Sequence, residues 1–61
     1  MTIDIERLRD YLIDYFGSLA QIYPSAYMEV SRVENASYEE LINIAISNNI
    51  DLSKFESYKS L

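Results

Sequence analysis

Residues 15–26 read YFGSLAQIYPSA and contain the only glycine and the only proline of this 61-residue chain. Pro24 separates two helical patterns, because the residue before a proline is biased away from helical geometry and proline itself suits the first turn of a helix. Gly17 does not interrupt its pattern, since the apolar spacing keeps its phase from Leu12 to Leu19, which a loop has no reason to do. We therefore predict a long first helix that passes through Gly17 and ends before Pro24; a helix that stopped at Gly17 would weaken the case for a dimer.

The predicted first helix, residues 3–22, has a broad apolar face. Apolar residues recur at intervals of three and four in two adjacent rows, one made of Ile5, Leu8, Leu12, Tyr15, Leu19 and Ile22 and the other of Ile13, Phe16, Ala20 and Tyr23. At 100° per residue the two rows span an arc of roughly 200°, whereas a single neighbouring helix needs only about 100°. We therefore expect this helix to contact neighbours on two sides.

Two shorter helices are predicted after the proline. The second covers residues 24–35 and the third covers residues 38–48. The third has the clearer start signal, since Ser37 and Glu40 form a capping box in which each side chain accepts a hydrogen bond from the other residue's amide. Apolar stripes predict the buried residues, which are Ala26, Val30 and Val33 in the second helix and Leu41, Ile42, Ala45 and Ile46 in the third.

The C-terminal part of the chain completes the predicted fold. The third helix is expected to end at the Asn48-Asn49 pair, because asparagine tolerates the left-handed conformation found after a helix C-terminus. A short helix or turn then covers residues 52–59, with Asp51 and Ser53 as competing N-cap residues. The whole chain is thus predicted to be a single all-α domain, a compact bundle of three helices plus this short C-terminal element.

The missing residue types argue against catalysis and metal binding. The chain has no Cys and no His, so it can form no disulfide and lacks the usual ligands of a structural zinc. The commonest general base and the commonest thiol nucleophile are absent as well. We predict that the protein is not an enzyme, holds no metal or cofactor and takes no small-molecule substrate.

Charge and hydropathy narrow the partners and the location. The formal net charge of −5 argues against binding to a nucleic-acid backbone or to an anionic membrane surface. No apolar run approaches the ~18 residues of a membrane span, and the N-terminal stretch MTIDIERLRD lacks the order of a signal peptide. We therefore expect a cytoplasmic protein.

The size of the chain favours an interaction protein. A domain this small buries only about 60% of its unfolded surface, and 49% of the residues are hydrophobic, so apolar surface is left for a partner. We predict a small protein-interaction module, with self-association as an open form of that interaction. Two alternatives remain, a mobile-element or phage-type inhibitor that acts through an acidic face, and a purely structural subunit.

The candidate interaction residues lie along the first helix: Arg9, Asp10, Tyr11, Asp14, Tyr15 and Gly17. Tyr11 and Tyr15 are four residues apart beside the acidic side chains of Asp10 and Asp14. Tyrosine is enriched at interfaces, and this pair is the one we favour for partner contact. The other tyrosines are expected to bury their rings in the core and keep their hydroxyl groups in water.

Arg9 and Gly17 are the less typical members of this set. Arg9 falls inside the apolar arc, so either its stem packs while its charged head reaches solvent, or it pairs with a carboxylate of a partner or second copy. Gly17 shares a flank with Ala20, and two small residues there suit a close approach by another backbone. Both residues are therefore candidates for contact with a partner.

A resemblance covers residues 30–56, VSRVENASYEELINIAISNNIDLSKFE. The lead-in R-V-E-N-A-S, the E-E-L box and the ending D-L-S-K-F, with YFGS further upstream, resemble short, uncharacterised, acidic helical proteins of Gram-positive bacteria and their mobile elements. The resemblance implies a compact helical bundle and a bacterial or phage-related source. It assigns no functional residue.

Overall fold

The computed structural model describes residues 2–57 and contains three α-helices and one 3-10 turn in the predicted order. Helix α1 spans Ile5–Ala20, α2 spans Ala26–Glu34, α3 spans Tyr38–Ser47, and the C-terminal turn spans Leu52–Phe55. The predicted all-α fold is confirmed, and residues 2–57 contain no β-strand. Residues 58 and 59 of the predicted C-terminal element, including Tyr58, lie outside the described residues.

Helix α1 begins two residues later than predicted and passes through Gly17, as predicted. Asp4 is its N-cap, and the Asp4 Oδ1 atom accepts a hydrogen bond from the Arg7 amide at 3.3 Å. Ile3 is not helical because it forms an isolated antiparallel bridge with Glu56. The N-terminal residues therefore pair with the end of the chain instead of extending the helix.

Helix α1 ends at Ala20, two residues before the predicted boundary. The amides of Ile22 and Tyr23 both donate to the Leu19 carbonyl, at 3.0 and 2.7 Å, which tightens the backbone into a turn. Tyr23 precedes Pro24, whose ring disfavours helical geometry at that position. The apolar spacing in the sequence therefore continues past Ala20, where α1 ends.

Helix α2 begins at Ala26 and not at Pro24. The Ala26 amide donates to the Tyr23 carbonyl at 2.8 Å, and the Tyr27 amide donates to the Pro24 carbonyl at 3.0 Å. These bonds span three residues, which is the spacing of a 3-10 turn. The proline therefore lies in a tight turn ahead of the helix.

Helix α3 has the start that the sequence predicts. The Ser37 amide donates to Glu40 Oε1 at 2.9 Å, and the Glu40 amide donates to Ser37 Oγ at 3.3 Å, so both halves of the capping box are present. These bonds satisfy amides at the helix start that have no intrahelical partner.

The end of α3 also follows the sequence signal. Asn49 has a φ of 60°, the left-handed conformation expected at this position. The Ile50 amide donates to the Ala45 carbonyl at 2.9 Å, and the Asn49 amide donates to the Ile46 carbonyl at 3.1 Å. This pair of bonds is the Schellman motif, which ends a helix by satisfying its last carbonyls.

Asp51 is the N-cap of the C-terminal turn, which resolves the two alternatives for this position. Its Oδ1 atom accepts hydrogen bonds from Ser53 Oγ at 2.7 Å and from the Ser53 amide at 3.0 Å. Both bonds favour the ionised carboxylate and lower the pKa of Asp51 below its ordinary value of 3.8, with the hydroxyl bond as the larger cause.

The core lies along one side of α1, where Leu8, Leu12, Phe16 and Ala20 are buried at a spacing of four. Helix α2 packs against α1, and α3 and the C-terminal turn also contact it, so α1 has more than one neighbouring element. The buried cluster draws on every element and consists of Ile3, Leu8, Leu12, Phe16, Val33, Ala36, Leu41, Ala45 and Phe55.

Three residues that the apolar rows place in the core are exposed instead. Ile22 and Tyr23 lie beyond the end of α1, where the helical phase no longer applies. Ile46 lies on the outer side of α3, while Ile44 packs against the core in a half-buried position. The predictions for Ile22 and Tyr23 were wrong because the rows were extended past the end of α1, and the prediction for Ile46 was wrong because the stripe was drawn wider than the side of α3 that faces the core. The expectation that the other tyrosines bury their rings was also wrong for Tyr27 and Tyr38, which are 62% and 50% exposed.

Candidate interaction surface

Tyr11 and Tyr15 lie together on α1, and both rings make contacts within the protein. The two rings stack with centroids 6.3 Å apart and an interplanar angle of 14°. Tyr11 also meets the Phe55 ring edge-on at 5.3 Å, and the Tyr15 ring meets Phe16 edge-on at 5.1 Å. Much of the aromatic surface that we favoured for a partner is therefore used within the protein.

Arg7 joins this aromatic contact from the next turn of α1. Its guanidinium carbon lies 5.7 Å from the centroid of the Phe55 ring, and its Nη2 atom donates to the Lys54 carbonyl at 3.2 Å. Arg7 and Tyr11 thus form a ridge along α1 that faces the C-terminal turn. Periodicity alone does not reveal this contact, because the residues it joins lie more than forty positions apart in the chain.

Arg9 has a role that neither sequence interpretation described. Its Nη1 atom donates to the carbonyls of Val33 at 2.9 Å, Ala36 at 3.1 Å and Glu34 at 3.3 Å. These oxygens lie at the C-terminus of α2, where a cation also interacts favourably with the helix dipole. The guanidinium is therefore a tertiary cap of α2.

Asp10, Asp14 and Gly17 lie outside the row of four buried residues of α1, and Gly17 is half-buried. Both aspartates are exposed. A Cβ atom placed on Gly17 would have no heavy atom of a side chain or of another element within 4 Å among the residues described. The structure thus provides no internal reason for a glycine here, and the six predicted residues divide between internal contacts and an open helix face.

A different surface stands out at the end of the α1–α2 hairpin. We call residues 22–28 the tip. Four large side chains there are mostly exposed: Ile22 at 70%, Tyr23 at 62%, Tyr27 at 62% and Met28 at 74%. No charged residue occurs between Asp14 and Glu29 in a chain that is 25% charged. This charge-free run is visible in the sequence, but the continuing apolar rhythm assigned part of it to the core.

The backbone of the tip is held by successive hydrogen bonds. The Met28 amide donates to the Ser25 carbonyl at 3.1 Å and continues the three-residue bonds of Ala26 and Tyr27. Pro24 restricts its own φ and the conformation of Tyr23. The exposed side chains are therefore presented from an ordered turn and not from a free loop.

An open groove of about 520 Å³ lies between α2 and α3. Phe16 and Ile44 contribute apolar surface to it, and the ion pair between Glu29 and Arg32, 3.6 Å apart, lines one side. Asn43, Ser47 and Asn48 make the remaining lining polar. The groove is less apolar than the tip.

Two further properties hold for residues 2–57. In this part of the chain, no group of three or more acidic side chains is arranged to hold a metal ion. None of its helices combines the length and the apolar character that crossing a membrane requires.

Comparison with known protein families, with curated proteins and with solved structures gave no match. The choice of a functional surface therefore rests on the exposure, charge and contacts of the chain's own residues. On those three criteria the tip differs most from the rest of the described surface.

Proposed function

We propose that this protein is a small, non-enzymatic protein-interaction module that binds its partner through the tip. The observation that carries the proposal is the presence of four large apolar or aromatic side chains, each more than 60% exposed, within seven uncharged residues. Apolar surface concentrated in this way marks interaction sites in soluble proteins.

The energetics of the tip support this function. Full burial of a large apolar side chain contributes about 1.5–3 kcal/mol. Because each of the four side chains is more than 60% exposed, a partner that covers them would gain more than half of this free energy from each. Tyr23 and Tyr27 add rings that have few rotatable bonds to order on binding. Because the turn is already ordered, association also requires little rearrangement of the backbone.

The charge and the residue composition of the chain support a particular class of partner. A net charge of −5 disfavours a nucleic acid or an anionic membrane and supports a protein as the partner. The absence of His and Cys supports a module that acts by binding, without a metal, a cofactor or a small-molecule substrate. We propose that this binding takes place in the cytoplasm.

The test compares two exposed side chains of the tip with two exposed apolar or aromatic side chains on α3. Wild-type protein, the tip variant Tyr27→Ser/Met28→Ser and the control variant Tyr38→Ser/Ile46→Ser are immobilised and exposed to an extract of the source cell. Tyr38 and Ile46 are 50% and 58% exposed and lie on α3, so the control removes a similar kind of surface. We expect a bound protein to be retained by the wild type and the control and lost by the tip variant.

Retention of the same protein by all three would show that the tip is not the binding surface. If binding instead fell with Asp10→Asn/Asp14→Asn and with increasing salt, the acidic-face inhibitor would be the better description, because salt screens contacts between exposed charges.

A further inference from the structure

We propose that the partner that covers the tip is the tip of a second copy of this chain, in a symmetric dimer. The proposal rests on the function proposed above and names its partner. It draws on two properties of the molecule, the distribution of charge and the area that the tip offers.

The charge distribution favours contact through the tip. Each copy carries a net charge of −5, so two copies repel each other when their acidic surfaces approach. Asp10, Asp14, Glu39 and Glu40 are all exposed, on α1 and at the start of α3. The tip carries no charge, and contact there does not bring like charges directly opposite one another.

The exposed area is suited to a weak dimer. A large aromatic side chain buries 150–250 Å², so a tyrosine that is 62% exposed still offers on the order of 100–150 Å². With comparable areas for Ile22 and Met28, each tip offers about 400–600 Å², so covering both tips would bury about 800–1,200 Å² in total, which is the range of weak, transient interfaces. We therefore expect a dissociation constant on the order of 0.1 mM, and a dimer that depends strongly on concentration.

The side chains of the tip are also suited to a two-fold contact. In such a contact, any pairing of one residue with a different residue of the other copy occurs twice, once on each side of the two-fold axis. The tyrosine rings can then lie against the Met28 thioether of the opposite copy, which is a favourable pairing of sulfur with an aromatic ring. The tyrosine hydroxyls can remain at the solvated rim.

Sedimentation equilibrium tests the dimer directly, over protein concentrations from about 10 μM to about 1 mM, a range that brackets the expected dissociation constant. We expect the wild type to be monomeric at the lowest concentration and mostly dimeric at the highest. Tyr27→Ser/Met28→Ser and Met28→Glu should each weaken association at least tenfold, and the control Ile46→Ser should leave it unchanged. All three changes are at exposed positions, and far-UV circular dichroism verifies that each variant is folded.

The salt dependence of the dimer dissociation constant is a second test, because the proposal predicts the direction of the change. Raising the ionic strength from about 0.05 M to about 0.5 M screens the repulsion between the two acidic copies. We therefore expect tighter association at high salt, by severalfold. A contact between acidic and basic groups would weaken under the same change.

Three results would overturn the proposal: a wild type that stays monomeric at the highest concentration, a dimer that persists in both tip variants, and association that weakens with salt. The failure of this inference can be separated from failure of the proposed function. If the wild type is monomeric while the tip variant still loses a captured protein, the second copy is rejected and the tip remains an interaction surface for another protein.

Discussion

Gly17 is a mid-helix glycine whose backbone conformation does not require glycine. Its φ is not positive, and a Cβ atom at this position would meet no side chain or other element within 4 Å. Glycine in a helix interior is less favourable than alanine by about 0.8–1.0 kcal/mol, because its backbone loses more freedom on folding. The fold would therefore be more stable with a side chain at this position.

Replacing this glycine, Gly17→Ala, should raise the free energy of unfolding by about 1 kcal/mol. Urea unfolding followed by circular dichroism measures the change, and the same samples in sedimentation equilibrium report on association. Because the proposed dimer contact is at the tip, we expect association to be unaffected. Weaker association in a more stable variant would instead place the contact on α1, and a destabilised variant would reveal a close neighbour of Gly17.

Helix α2 depends on the rest of the fold more than the other helices do. It has only nine residues, and its N-cap residue, Ser25, makes no side-chain capping bond. An isolated helix of this length is not stable in water. Its support comes from burial of Ala26 and Val33 and from Arg9, which donates to the carbonyls at its C-terminus. The tip contains the N-terminus of this helix, and Arg9 caps its C-terminus.

The substitution Arg9→Leu should lower the free energy of unfolding by about 1–3 kcal/mol, because it removes charge-assisted hydrogen bonds to the carbonyls at the end of α2. Equilibrium unfolding in urea measures the loss. The matched control is Arg32→Leu, since the Arg32 side chain is 67% exposed and its ion pair with Glu29 is a surface contact, for which we expect a change within about 0.5 kcal/mol. Equal losses in the two variants would contradict the capping role of Arg9.

At the scale of the whole molecule, the two ends of the described chain are joined. The Asp4 amide donates to the Phe55 carbonyl at 2.6 Å, and the Ser57 amide donates to the Thr2 carbonyl at 2.7 Å. Phe55 is buried between these bonds and the ridge that contains Arg7 and Tyr11. Many domains of this size are stabilised by disulfides, but this chain has no cysteine. The contact between the two ends of the described chain provides a non-covalent link in their place.

The substitution Phe55→Ala, which removes the buried ring from the contact between the two chain ends, should lower the free energy of unfolding by about 3–5 kcal/mol, as expected for a buried phenylalanine. A single core of this size rarely supplies more than about 3–5 kcal/mol in total, so the variant should be largely unfolded at 25 °C. Circular dichroism and the urea unfolding curve measure this, with Tyr38→Ala as the control at an exposed aromatic position. A cooperative transition close to that of the wild type would show that the C-terminal turn is not part of the cooperative core.

Features that depend on neighbours within about four residues could be predicted from the sequence. The capping box of Ser37 and Glu40, the left-handed Asn49 and the continuation of α1 through Gly17 are all of this kind. Each follows from the chemistry of a few adjacent residues, such as a hydroxyl beside an unpaired amide or an apolar stripe that keeps its phase. The number and order of helices, and hence the all-α fold, followed from these local signals.

The contacts that join distant parts of the chain emerged only in the folded structure. Arg9 bonds to carbonyls 24 to 27 residues away, and Phe55 meets Arg7 and Tyr11 across almost the whole chain. Residues so far apart meet only because the hairpin and the C-terminal turn fold back on α1, and no local pattern encodes the direction of that return. For the same reason periodicity assigned Ile22 and Tyr23 to the core, whereas the turn before α2 leaves both exposed as part of the candidate interaction surface.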